Sequence, residues 1–409
     1  MKNKNPWGFE ITHIKDWKRI EKTLEKQRIG ADAWDIKPLL VYDCKYYLLI
    51  GERSDGKTYD VLLYALIRHF EDGSELAIVR RYREDFRGKR AHTLFKPLVE
   101  NDVIKMLSNG EWDNILYYQS SWWFTKKVER KNSDGEITYD VIRSETPFAY
   151  AFSLGEWEHD KSSAYPYVNI MLFDEFITNG YYLPNEFLIF QNVISTIKRK
   201  RTNFKIFMCG NTINKYCPYF ADMGLTNIKT QEKGTIDIYS YGHTNLRVAV
   251  AFTDASARNE ESDEYFAFNN PALNMITGKG DAWQIDIYPH LPIKYKPREI
   301  IYQYFIKFDN EVLHAEIING FDEEHKCDVL FTYIHRKTSE IKDENQYIVY
   351  QQDFDVRENY RRRITKPVLK VEQKILSFFS RNKVFYQDNE VGSMVDNYMK
   401  WSQSASPLN

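Results

Sequence analysis

Between Tyr46 and Phe70 the chain reads YYLLIGERSDGKTYDVLLYALIRHF, and this stretch limits the possible folds more than any other. An apolar run ends at Gly51, the pattern G-x-x-x-x-G-K-T closes on Thr58, and apolar residues then recur at helical spacing. Strand, glycine turn and helix in that order form a phosphate-binding loop. Gly51 and Gly56 let the backbone curl, so that N–H groups along Glu52, Arg53, Ser54 and Asp55 point inward at phosphate oxygens. Lys57 is placed to reach the terminal phosphates and the Thr58 hydroxyl to bind Mg2+, while the helix N-terminus adds partial positive charge. Glycine makes up about 7% of average composition, so the pattern arises by chance in roughly one such chain per hundred. The strand–loop–helix setting makes chance rarer still.

The rest of the chain has to supply a sheet for that loop. At 409 residues there is length for two domains, each with a full core. ELAIVRRYR from Glu75, VNIMLFDEF from Val168 and FKIFMCGN from Phe204 read as further buried strands. PNEFLIFQNVISTIKRKR between the last two reads as a helix, with Pro184 near its start and a basic final turn. Alternating strands and helices imply an α/β domain, a parallel sheet with helices on both faces. Residues 1–44 are expected to add an N-terminal helix, with Trp17, Ile20, Leu24 and Ile29 on one stripe. Residues 113–155 alternate and are rich in aromatic residues, which predicts an antiparallel β insertion turning at Asp134-Gly135. The nucleotide domain is therefore set at 45–255 and a lid or linker at 256–297, where prolines cluster. A smaller α+β domain follows at 298–409.

Aromatic residues make up 15% of the chain and are read as core mass. With net charge −2, no global positive field draws the chain to nucleic acid, so such binding requires a local patch. RRYREDFRGKR (Arg80–Arg90) and RENYRRR (Arg357–Arg363) are the basic clusters to consider, solvated faces being the commoner explanation. Cys44, Cys209, Cys217 and Cys327 lack metal-ligand spacing and read as reduced thiols of a cytosolic protein. No apolar run is long enough for a membrane span.

Chemistry concentrates at strand ends. Asp174 and Glu175 end the apolar run NIMLFDEF, at the edge where ligands sit in open α/β sheets. There an Asp can hold Mg2+ and a neighbouring Glu can polarise an attacking water as general base. Arg53 lies inside the loop. Arg199 and Arg201 crowd a helix end from which an arginine could reach a neighbouring subunit's nucleotide, though such an end is also a natural solvated basic turn. Asn211, closing FKIFMCGN, could sense the terminal phosphate or cap a turn.

The stretches IGERSDGKT, IVRRYRED, EHDKSSAYPYVNIMLFDEF with YLPNE, and TIKRKRTNFKIFMCGN with CPYF occur in that order over residues 45–220. They resemble the DNA-encapsidation ATPases of small protein-primed tailed phages, relatives of the large terminase motors. The resemblance implies an additional-strand P-loop ATPase fold and use of ATP and Mg2+. It also implies a homo-oligomeric ring of five subunits on the portal of an empty procapsid in the host cytoplasm, translocating double-stranded DNA. A packaging RNA is left open as a further partner, and no membrane is involved. Position by position, Lys57 and Thr58 match the loop, Asp174 the Mg2+ ligand, Glu175 the base and Arg53 the in-loop arginine. Arg199 and Arg201 both match the segment that supplies a trans arginine. The second domain is implied to be ribonuclease-H-like with its nuclease acids lost. The alternatives are a terminase with a working nuclease, or a nucleotide-gated binding module that is not a motor.

Overall fold

In the computed structural model, residues 6–30, 34–53, 55–131, 137–156, 164–242, 244–254, 283, 286–291, 293–336 and 344–404 are described. They form two units: residues 1–178 with 186–283, and residues 179–185 with 284–409.

The first unit follows the chain from α1 (Trp17–Gly30) and α2 (Lys37–Leu40) into β1 (Tyr46–Gly51) and α3 (Lys57–Asp72). After β2 (Glu75–Arg80) come three short helices, α4 (Lys89–Thr93), α5 (Lys96–Glu100) and α6 (Val103–Leu107). The strands β3 (Asn114–Tyr118), β4 (Ser121–Lys131), β5 (Ile137–Arg143), β6 (Ala149–Ser153) and β7 (Val168–Asp174) lead to α7 (Glu186–Lys198). The unit ends with β8 (Lys205–Asn211), α8 (Pro218–Asp222), β9 (Ile236–Ser240) and β10 (Arg247–Phe252).

Its strands make one sheet in the order β3-β4-β6-β2-β7-β8-β1-β10-β9, with β5 paired to β4. From β6 to β10 along that order all pairings are parallel. The fold is therefore α/β, and β8 is an additional strand standing between the loop-bearing β1 and the acid-bearing β7. Antiparallel β3, β4 and β5 lengthen one edge. Ala149–Ser153, read with that insertion from the sequence, instead pairs parallel to β2 as well as antiparallel to β4. The Asp134-Gly135 turn lies outside the described residues.

Period two divides each central strand between two cores. Tyr47 and Leu49 of β1, Ile170 and Leu172 of β7, and Phe207 of β8 share a cluster with α3 and with Ile20 and Leu24 of α1. The alternate residues Leu48, Ile50, Met171 and Phe173 are equally buried, and Phe173 meets Phe190 of α7 with ring centroids 4.9 Å apart. Helices thus cover both faces. Each fully buried aliphatic or aromatic side chain contributes about 1.5–3 kcal/mol. The N-terminal segment is part of this core, because Trp7 and Ile36 are also buried in it; Trp17 is only half-buried, and the Ile29 side chain lies outside the description.

The second unit holds β11 (Ile300–Phe308), β12 (Glu311–Asp322), β13 (Cys327–Arg336), β14 (Ile348–Gln351), β15 (Tyr360–Arg361) and β16 (Val384–Tyr386). Two helices, α9 (Lys370–Ser380) and α10 (Asn389–Ser404), complete it. The sheet order is β15-β14-β11-β12-β13-β16. β11 to β13 are an antiparallel meander, while β14 adds parallel to β11 and β15 parallel to β14. The expected lid or linker at 256–297 is corrected at its C-terminal end. Its described residues from 286 onward belong to the second unit, where His290 bridges Tyr386; residues 256–282 lie outside the description. Among the described residues no helix is long and apolar enough to cross a membrane, and all four cysteines are free, three of them buried.

Candidate nucleotide-binding site

β1 ends against two neighbours. The Gly51 carbonyl accepts the Thr212 N–H at 3.0 Å and the Ile50 carbonyl accepts the Thr253 N–H at 2.7 Å, so the chain leaves the sheet at a fixed point. Gly51 is required there: a Cβ would stand 1.7 Å from Thr253 Oγ1 and 2.6 Å from Asp55 Oδ2. Gly56 turns the loop into α3 with φ of 86°, a left-handed conformation that L side chains resist.

The loop is braced from three sides. The Thr253 hydroxyl donates to the buried Asp55 carboxylate at 2.6 Å, the Trp34 N–H donates to the Asp55 carbonyl at 3.0 Å, and Lys233 pairs with Glu52 at 2.5 Å. Lys57 is buried, donates to the Glu52 carbonyl and faces the Asp55 carboxylate at 3.6 Å. Burial pushes its pKa down, and the Asp55 charge opposes that shift. Ser54 lies outside the described residues; Arg53 is exposed.

Across β8 stands Asp174, only 5% exposed. One of its oxygens accepts the Thr58 hydroxyl at 2.9 Å and the other accepts Arg80 at 2.6 Å. A hydroxyl and a carboxylate joined this way, at the start of the helix that follows the glycine loop, are oxygen donors of the kind that Mg2+ takes. Thr58 and Asp174, each read from the sequence as a Mg2+ ligand, thus lie within hydrogen-bond distance of each other. Asn211, at the end of the intervening strand, is in register with Gly51 and half-buried.

Glu175 is exposed and has φ of 59°, a left-handed conformation uncommon for a glutamate. What holds it there is Arg81, a residue the sequence reading took only as one member of a basic cluster. Its guanidinium grips both oxygens of Glu186 at 2.8 and 2.9 Å and also donates to the Phe176 carbonyl at 2.8 Å. Tyr219 adds its hydroxyl to Glu186 at 3.0 Å; burial first, and then the Glu186 charge, raise the Tyr219 pKa. The end of β2, the start of α7 and the residue after Glu175 are thereby tied at one buried point.

Arg80 and Arg81 had been read as part of a basic cluster, more commonly a solvated face than a contact for a phosphate backbone; the structure corrects both readings for these two, which are committed to acids at the sheet edge. Their position just after an apolar strand was the available signal. Arg199 and Arg201 are not brought to this site. They follow α7 and precede β8, hence lie at the opposite edge of the sheet. Arg201 donates to the Tyr165 and Ile197 carbonyls at 2.5 and 2.6 Å. Arg199 is exposed, with φ of 49°.

The fold and this edge define an α/β protein of the P-loop class with an additional strand. Residues 141–247 match the family model described as Podovirus DNA encapsidation protein (Gp16), which bears out the resemblance seen in the sequence. A DNA packaging protein of Bacillus phage B103 is 30% identical over 190 residues, 46% of this chain and 50% of that protein. The DNA packaging protein of Bacillus phage phi29 is 28% identical over 190 residues, 48% of its length. The chain thus spans about half the length of the curated relatives it matches. Among solved structures, the Phi-28 gp11 DNA packaging motor covers 91% of this chain and 97% of its own, at 21% identity and a TM-score of 0.48.

Proposed function

We propose that this chain is the ATP-hydrolysing subunit of a phage genome-packaging motor. The observation that carries the proposal is the Thr58–Asp174 contact of 2.9 Å, made across an additional strand beside a braced glycine loop. The matched family and the packaging relatives support the same reading. When bound, ATP and Mg2+ supply the terminal phosphoryl group and the charge that neutralises it. Residues 51–58 hold the phosphates, Lys57 the terminal ones; Thr58 and Asp174 hold the metal. Glu175, turned into solvent by its left-handed backbone, takes the proton from the attacking water. Asn211 stands beside Gly51, where it could report on the terminal phosphate, and Arg53, exposed within the loop, would add a guanidinium to a bound nucleotide.

Partners follow from the same reading: double-stranded DNA, further copies of this chain in a ring, and the portal of a procapsid in the host cytoplasm. Arg199 is exposed whereas Arg201 is half-buried, so Arg199 is proposed as the trans arginine. The second unit is proposed to be ribonuclease-H-like; a meander with two parallel strands added to its first strand supports that. A working nuclease is disfavoured. Among the described residues Glu311 is bonded to Arg336 and Asp322 to His325, and the acids do not converge on a shared point.

ATP hydrolysis measured with and without double-stranded DNA, across a protein concentration series, tests the proposal. Turnover should rise with both. Arg199→Ala should abolish the rise while nucleotide still binds, and Arg201→Ala should mainly lower stability. Turnover indifferent to DNA and to concentration would leave a solitary nucleotide binder.

A further inference from the structure

The second unit gathers two imidazoles and a carboxylate on one face of its sheet. His314 and Glu316 alternate along β12, and His335 lies directly opposite His314 on β13, with Tyr333 opposite Glu316. Period two turns all of them to the same side. One ligand atom from each of His314, Glu316 and His335 lies within 4.8 Å of the others. His314 Nδ1 is 3.9 Å from one Glu316 oxygen and His335 Nε2 is 3.7 Å from the other.

The groups around the three fix their orientation. Tyr295 donates its hydroxyl to the Glu316 carboxylate. His335 Nδ1 lies 3.0 Å from the Arg336 carbonyl, so this nitrogen carries a proton and Nε2 is the atom turned to Glu316. Phe305 stacks on His314 at 4.7 Å and Tyr333 on His335 at 5.3 Å. Bonds from carbonyls and hydroxyls to the far side of a ligand are what orient metal-binding imidazoles and carboxylates. Glu316 is 7% exposed, and a carboxylate so far from water needs a cation beside it.

We propose that His314, Glu316 and His335 bind one divalent transition-metal ion, Zn2+ fitting best. Imidazole nitrogens favour Zn2+ and its neighbours, whereas Mg2+ takes oxygen ligands and usually keeps several waters. The site is therefore chemically unlike the Thr58–Asp174 pair. Three protein ligands leave a fourth position for water or an incoming group. The ion cross-links β12 to β13.

The test uses the full-length protein, stripped with a chelator, dialysed against Zn2+ and assayed for bound metal. Wild type should retain one equivalent and give the visible absorption of a nitrogen- and oxygen-ligated site when Co2+ replaces Zn2+. Glu316→Gln and His335→Gln should retain less than a tenth of that. Tyr295→Phe keeps every ligand and should bind Zn2+ about tenfold more weakly, which decides the matter if a ligand variant fails to fold. Thr58→Ala should keep the full equivalent, separating this ion from the nucleotide's. Wild type retaining no Zn2+, or His335→Gln and Tyr295→Phe binding it as wild type does, would overturn the proposal and leave a His–Glu ion pair.

Discussion

The two sheets of this molecule place their polar chemistry differently. In the first unit the central strands are covered on both faces, and Tyr47, Leu48, Leu49 and Ile50 in succession are at most 1% exposed. A polar side chain has no room on such a strand, so function moves to the strand ends. Gly51, Arg80, Asp174, Asn211 and Thr253 each end or directly follow a different strand. The second unit has an antiparallel meander, in which residues far apart in sequence meet by register on a face. His314, Glu316 and His335 use that route. A parallel sheet collects its site at one edge, one residue per strand, while a meander can assemble one mid-strand.

The largest test of the edge site is Lys57→Ala, together with Glu175→Gln. Each should lower ATP turnover by about 10³-fold, roughly 4 kcal/mol in the barrier, measured in the DNA-stimulated state. Zn2+ retention by the second unit should be unchanged, and a parallel loss would break the distinction between edge and face. Next comes the buried tie. Arg81→Met should destabilise the protein by about 3–5 kcal/mol, because it strands Glu186 without its cation. Arg81→Met with Glu186→Leu should recover most of that in a thermal melt. Turnover should stay low even then, because the Phe176 carbonyl has lost the donor that sets Glu175. Full recovery of turnover would make the pair structural only.

How much was legible follows the same division. The glycine loop and the acids of β7 stood out because each is contiguous in sequence: Gly51 to Thr58 is one turn, and Asp174-Glu175 ends one apolar run. FKIFMCGN was readable as a buried strand for the same reason, whereas its place as the additional strand was implied by the family resemblance. Arg80 and Arg81 were hidden because their meaning lies in partners 94 and 105 residues away. Spacing records no such pairing, and a basic run invites a surface reading. His314 and His335 were missed because register, not spacing, makes them neighbours. The stretch before residue 298 was assigned by its prolines, although its described residues from 286 onward belong to the second unit.

Smaller effects sharpen the edge itself. Arg80→Ala leaves Asp174 with the Thr58 hydroxyl alone, and turnover should fall about 10–100-fold. If Arg80 orients the carboxylate, the Mg2+ concentration for half-maximal rate should rise and Arg80→Lys should restore part of the loss. An unchanged Mg2+ dependence would assign Arg80 to packing over Phe86, 5.7 Å from its guanidinium.

The smallest effect expected is at the other end of α3, whose first turn carries Thr58 and whose last carries Glu71. Glu71 accepts the backbone N–H groups of Thr12, His13 and Ile14, and also the Thr12 hydroxyl at 2.9 Å. Burial raises its pKa, but these donors outweigh burial and bring it down from 4.5 to about 2. A folded-state pKa below the unfolded one means the stabilisation is complete above pH 4.5 and is lost as pH falls toward 2. Glu71→Gln cannot accept as strongly and should cost about 1–2 kcal/mol at pH 7. The variant should also lose part of the acid-dependent slope of unfolding between those pH values, while DNA-stimulated turnover at pH 7 stays near wild type. If turnover falls with stability, the two ends of α3 are coupled, and the N-terminal segment acts on the nucleotide edge rather than only holding the core.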